Sequence, residues 1–132
     1  MQIQIGSNTY ATLYFTAYSD IYQSVKRPTI LCYFDPTVLP LATLQTIVAT
    51  ESNLDSITTI DGTTKTAYTN YNKVKKVSKE YVESQGQDVV ILALCQLTDD
   101  EAAYKALKSN YYKLLSSHLA LETAVLSIGG IS

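Results

Sequence analysis

Polar and apolar residues alternate at the start of the chain, in Gln2, Ile3, Gln4 and Ile5. Period-two alternation predicts a short strand, and Gly6-Ser7-Asn8 behind it reads as a turn. The next stretch, TYATLYFTAYSDIY, carries Tyr10, Tyr14, Tyr18 and Tyr22. A spacing of four fits a helix stripe, but it also keeps to one face of a strand. The Thr, Tyr and Phe content selects the strand. PTILCYFD follows as a continuous β-rich run between Pro28 and Asp35-Pro36. Leu41, Leu44, Ile47 and Val48 then recur at helical spacing and predict a short helix. Asn53 to Ser56 reads as a loop.

SITTI and TKTAY flank Asp61-Gly62, a strong short hairpin signal. NKVKKVSKEYV continues as a third strand. Val74 and Val77 are three apart, which breaks alternation; a β-bulge near Lys75-Lys76 puts both on one face. SQGQD reads as a turn, and VVILALCQL as the most buried strand. These elements predict an antiparallel meander from Ile57 to Leu97, joined by the N-terminal strands. Lys73, Lys75, Lys76 and Lys79 then occupy exposed or edge positions, where lysine solubilises and blocks edge-to-edge pairing.

The clearest pattern lies at the C-terminal end. Thr98 and Glu101 have the spacing of a capping box, Asp99 and Asp100 suit a helix N-terminus, and Gly129-Gly130 closes the segment. Between them runs a 4-3 apolar repeat. Tyr104, Tyr111, His118 and Val125 take one heptad position; Leu107, Leu114, Leu121 and Ile128 take the other. Leu115 and Leu119 widen the stripe, as docking on the protein's own sheet would require. A helix this long, about 45 Å, exceeds the flank of so small a sheet, so part of it is expected to meet another chain. The eight heptad residues are the candidate oligomer or partner interface. The fold class expected is α+β: a small antiparallel β-sheet, one short helix and a long C-terminal helix. It divides into a β-rich domain, 1–97, and a C-terminal helix, 98–132, for oligomerisation or docking.

Composition narrows the function. At 132 residues with a net charge of −2, the chain can bury a core and has no global basic field for nucleic acid or anionic lipid. A single-strand groove would interleave aromatics with Arg and Lys over several strands, whereas this basic cluster is local and partly neutralised by Glu80, Glu83 and Asp88. The N-terminus has no positively charged leader, and no apolar run reaches the roughly 20 residues of a membrane span. Cys32 and Cys95 sit inside apolar runs as expected buried thiols, without disulfide or zinc spacing. His118, the only histidine, falls on the apolar stripe as a packing residue. Asp99, Asp100 and Glu101 serve capping. Asp20, Asp35, Asp55 and Asp61 stand in turn contexts. Phosphate-loop, nucleophile-elbow and zinc patterns are all lacking. No catalytic residue, cofactor or metal is expected, and a small-molecule ligand is not expected either.

The order of features resembles the small tail- and baseplate-associated structural proteins of phages and prophages of Gram-positive bacteria. The resemblance is carried by IGSNTY at Ile5 to Tyr10, by Asp61-Gly62 with Tyr68 and Tyr71, by KVKKVSKEYV, and by Leu97 to Glu101 followed by LETAVLSI at Leu121 to Ile128. It covers most of the chain through tolerant motifs. It implies a non-enzymatic assembly component that binds its own copies or neighbouring tail proteins, made in the host cytoplasm and carried in the virion. Two other readings fit the composition. One is a phage anti-defence protein that binds a host effector or nucleotide signal. The other is a carbohydrate- or receptor-binding module that stacks ligands on Tyr10, Tyr14, Tyr18 and Tyr22.

Overall fold

The structure is a computed structural model that describes the backbone of residues 1–129 and the side chains of residues 1–118. The chain divides after Leu97 into two compact units. The first contains β1 (Gln2–Ile5), β2 (Asn8–Ala11), β3 (Tyr14–Tyr22), β4 (Val25–Phe34), α1 (Leu41–Ala49), β5 (Ser56–Asp61), β6 (Thr64–Thr69), β7 (Lys73–Val82) and β8 (Gln87–Cys95). The second contains α2 (Asp99–Gly129). This is an α+β fold with two antiparallel sheets of four strands each, in the orders β2-β1-β5-β6 and β3-β4-β8-β7.

One hydrophobic cluster draws on both sheets. Ile3, Ile5 and Ile57 come from the first, and Ile30, Cys32, Phe34, Val90, Leu92 and Leu94 from the second. Tyr10 of β2 meets Phe34 of β4 edge-on, with ring centroids 6.4 Å apart. The connection after β4 adds Leu39, then Leu44 from α1, then Leu54 from a single 3-10 turn at Glu51–Leu54. Each such side chain contributes about 2 kcal/mol of burial. β8 is buried on both faces: Val90, Leu92 and Leu94 face the core, and Val89, Ile91, Ala93 and Cys95 are at most 5% exposed on the other side. That explains its unbroken apolar run.

The expected bulge is present. The β7–β8 register shifts between Val74 and Lys76, and Val74 and Val77 both pack against the core. The expected meander is not. β5 and β6 belong to the first sheet, while β7 and β8 belong to the second. The chain changes sheets at Asn70, whose φ of 62° is a left-handed conformation that Asn tolerates. The tyrosine stretch is likewise two strands. At Thr12, the N–H and hydroxyl both bond to the Met1 carbonyl; at Leu13, the N–H bonds to Tyr33 in the other sheet. The expected loop at Asn53–Ser56 is shorter, with Asn53 and Leu54 inside the 3-10 turn and Ser56 opening β5.

The hairpin at Asp61-Gly62 also differs in register. Asp61 pairs with Thr64, so the two loop residues are Gly62 and Thr63, with φ of 63° at Gly62. A glycine at the first loop position is the type II′ arrangement. A Cβ at Gly62 would meet nothing within 4 Å, so substitution there is opposed by backbone conformation alone. Gly62→Val is therefore expected to cost about 1–2 kcal/mol in denaturant unfolding. An unchanged midpoint would contradict this turn.

Candidate functional site: the face of the C-terminal helix

α2 begins where the capping box places it. The Thr98 hydroxyl accepts the Glu101 N–H at 3.2 Å, and the Glu101 carboxylate accepts the Thr98 N–H at 2.9 Å. Asp99, Asp100 and Glu101 fill the first turn, where their charge complements the helix dipole. At 31 residues, the helix runs about 46 Å.

Its heptad face is exposed over the described side chains. Tyr104 is 67% exposed, Leu107 67%, Tyr111 59% and Leu114 69%. His118 is exposed too. Tyr111, Leu114, Leu115 and His118 border one shallow depression whose walls are almost wholly apolar. The helical repeat thus brings five successive heptad residues and Leu115 onto one continuous surface. Leu121, Val125 and Ile128 lie outside the residues whose side chains are described. Beside the stripe, Tyr112 packs edge-on against Tyr111 at 5.9 Å and lies under the Lys108 ammonium at 6.0 Å.

A second surface is the face of the β3-β4-β8-β7 sheet turned away from the core. Tyr14, Tyr18 and Tyr22 share that face of β3, and Tyr14 rests on Tyr33 of β4 at 5.1 Å. Tyr10 does not join them, because it belongs to the other sheet and packs on the core. The four-tyrosine strip is thereby reduced to three plus Tyr33. Asp20 stands on this face in β3 rather than in a turn, and its carboxylate meets the Lys75 ammonium. Arg27 lies across from Asp20 and is only 3% exposed. Its guanidinium donates to the carbonyls of Tyr22 at 3.1 Å and Gln96 at 3.2 Å. The chain's single arginine, set at the head of an apolar run, was the sequence signal for this buried tie.

The polar groups mostly hold structure. Asp35 accepts the N–H of Thr37 at 2.9 Å and its hydroxyl at 2.7 Å, an Asx turn. Those bonds, with one from Gln87, hold its carboxyl below the usual range. Cys32 and Cys95 are fully buried, and burial pushes the Cys32 thiol up to about 12, so it is no nucleophile at neutral pH. Burial also raises the Tyr18 hydroxyl, helped by Cys95 and Tyr33. Among the described residues, no group of His, Cys, Asp and Glu could hold a metal ion. No described helix is long and apolar enough to cross a membrane.

The lysines lie along β7, one of the two edge strands of its sheet. Lys75, Lys76 and Lys79 are exposed and Lys73 is half-buried. Lys76 pairs with Glu80 at 2.6 Å, and that contact lowers the Glu80 carboxyl. Exposed pairs of this kind contribute little to stability, because solvent screens them. Replacing Lys73, Lys75 and Lys76 by Gln is expected to leave folding and association intact, as read by circular dichroism and light scattering. Tight nucleic-acid binding by the wild type, lost in the triple variant with its salt dependence, would reassign this strand.

Comparison with protein-family models, with curated proteins and with solved structures finds no match.

Proposed function

We propose that this protein is a non-enzymatic assembly component that associates with its own copies, or with neighbouring structural proteins, along α2. The carrying observation is the run of Tyr104, Leu107, Tyr111 and Leu114 at heptad spacing, each 59% to 69% exposed. Apolar stripes of this length drive association in water, because each leucine removed from solvent contributes about 2 kcal/mol. The 4-3 repeat suits a helical partner, since it keeps one seam in contact over successive turns. The setting we assign is a phage tail or baseplate, on the strength of the sequence resemblance. There the protein is synthesised in the host cytoplasm and incorporated into the virion.

Two measurements test this reading. Light scattering of the purified chain across a concentration series is expected to give a mass above the 14.6 kDa monomer. Mass spectrometry of purified virions is expected to find the chain at a fixed copy number per particle. A chain monomeric at every concentration would overturn the assembly role. Absence from the particle would overturn the setting.

A further inference from the structure

A second, independent interface follows from the edges of the two sheets. Four strands end the sheet orders: β2, β6, β3 and β7. β2 is four residues long and β6 six, and short edges pair weakly. β7 has ten residues, but it carries four lysines and a bulge. Both devices discourage strand addition. β3 has none of them. It is nine residues long, free of Pro and Lys, and its register with β4 runs from Tyr14 to Tyr22 without a shift. Its one charged residue, Asp20, meets the Lys75 ammonium through one carboxylate oxygen and accepts the Ile21 N–H through the other. Ala17, Ser19 and Ile21 are exposed, Ile21 at 69%.

The hydrogen-bonding phase of that edge is set by the turn. Gln23 and Ser24, with φ of 54° and 63°, form a two-residue loop closed by Tyr22 and Val25. Residues flanking such a loop exchange both backbone bonds, and pairs alternate from there. Tyr22, Asp20, Tyr18, Thr16 and Tyr14 therefore spend their backbone groups on β4. The N–H and C=O groups of Phe15, Ala17 and Ser19 and the C=O of Ile21 point outward, while the Ile21 N–H is held by the Asp20 carboxylate at 2.8 Å.

The sequence of β3 is a pseudo-palindrome about Tyr18. Reading outward in both directions, Ala17 matches Ser19, both small. Thr16 matches Asp20, a hydroxyl and a carboxylate. Phe15 matches Ile21, both apolar, and Tyr14 matches Tyr22. We infer that β3 of one copy pairs antiparallel with β3 of a second copy, centred on Tyr18. In that register the outward backbone groups of Ala17 face those of Ser19 in the second copy, and Phe15 faces Ile21. The faces also agree: core-side residues meet core-side residues, and tyrosines meet tyrosines. Aromatic cross-strand pairs of this kind are favourable. A twofold axis through Tyr18 joins the two four-stranded sheets into one. The β3 pair uses no residue of α2 and forms whether or not the helix associates.

A cross-linking experiment tests it. In a pair without mutual backbone bonds, opposite Cα atoms lie about 4.5 Å apart, within disulfide range. Cys32 and Cys95 are 0% exposed and do not compete. The full-length Tyr18→Cys variant is expected to oxidise to a dimer linked at position 18 in both copies. Ser19→Cys sits diagonal to its own copy, roughly 7–8 Å away, and is expected to cross-link at least about tenfold more slowly. Ala17→Pro removes an outward N–H without touching the β4 ladder, so adding it to Tyr18→Cys is expected to abolish the cross-link. Should the proline variant lose its circular dichroism spectrum, Tyr18→Lys replaces it. That variant sets two lysines opposite each other and is expected to lower the mass of the assembly by about half. Equal cross-linking at positions 18 and 19, or an unaltered mass for Tyr18→Lys, would overturn the pairing. Repeating each measurement with Leu107→Asp and Leu114→Asp separates this interface from that of the helix.

Discussion

Leu107→Asp combined with Leu114→Asp is expected to abolish helix-mediated association while the unit ending at Leu97 melts as in the wild type. Both leucines are more than 60% exposed, so neither substitution opens a cavity in a core. In an associated form each leucine contributes about 2 kcal/mol, and a buried aspartate adds an uncompensated charge. The combined loss exceeds about 4 kcal/mol, roughly a thousandfold in the association constant. Light scattering is expected to show the assembly falling to the dimer joined at β3. Adding Tyr18→Lys is expected to take it to the monomer. Circular dichroism is expected to keep the β signal of the first unit in both variants. A wild type that is monomeric at high concentration, with a double variant that loses its whole fold, would show that the stripe stabilises the protein's own structure. The assembly role would then fail.

The two proposed interfaces together have a consequence that neither has alone. A β3 pair is isologous and closes at two copies. Helix association would then link such pairs, giving closed particles or extended arrays according to the angle between the two symmetry operators. This suits a component whose work is geometric. It also explains the asymmetry between sheet edges: lysines and a bulge guard β7, whereas β3 is aromatic and regular. Leaving β3 alone undefended is what a protein with a single intended strand partner requires.

Much of the fold was legible because local chemistry and global structure agree. The capping box at Thr98 and Glu101, the bulge between Val74 and Lys76, the helix at Leu41–Ala49 and the doubly buried β8 were all readable from spacing. The division into two sheets was not. Sheet membership depends on which strands meet in space, and β4 pairs with β8 across more than fifty residues of chain. Nothing in Asn70 marks a change of sheet except its tolerance of positive φ. The Gln23-Ser24 turn has no local mark in the sequence, because neither residue is among those that favour φ above zero. Tyr10 keeps the spacing of Tyr14, Tyr18 and Tyr22 although it lies in another sheet, because period-four spacing survives a break at Thr12 and Leu13. The helix face was legible as a 4-3 repeat. The β3 edge was not, because a palindrome has meaning only once the strand is known to end its sheet.

Phe34→Ala is expected to be the most damaging single substitution in the first unit. Phe34 closes β4, is 0% exposed, and reaches across to the other sheet through its edge-on contact with Tyr10. It lies opposite Val90 of the most buried strand. Its loss leaves a cavity between two sheets that cannot close, because each is held by its own backbone ladder. Truncation of a buried phenylalanine costs about 3–5 kcal/mol. In a unit of this size, that lowers the midpoint by roughly 15–30 °C. Phe34→Leu keeps most of the volume and is expected to cost under about 1.5 kcal/mol. Phe15 offers a comparison in the same sheet: it meets Tyr68 at 5.6 Å, but it is only half-buried, so Phe15→Ala is expected to cost less. Thermal melts of the three variants decide the matter. If Phe34→Ala melted within a few degrees of Phe34→Leu, the two sheets would not be joined at Phe34. The shared core that holds β3 in place as an edge would then have to lie elsewhere.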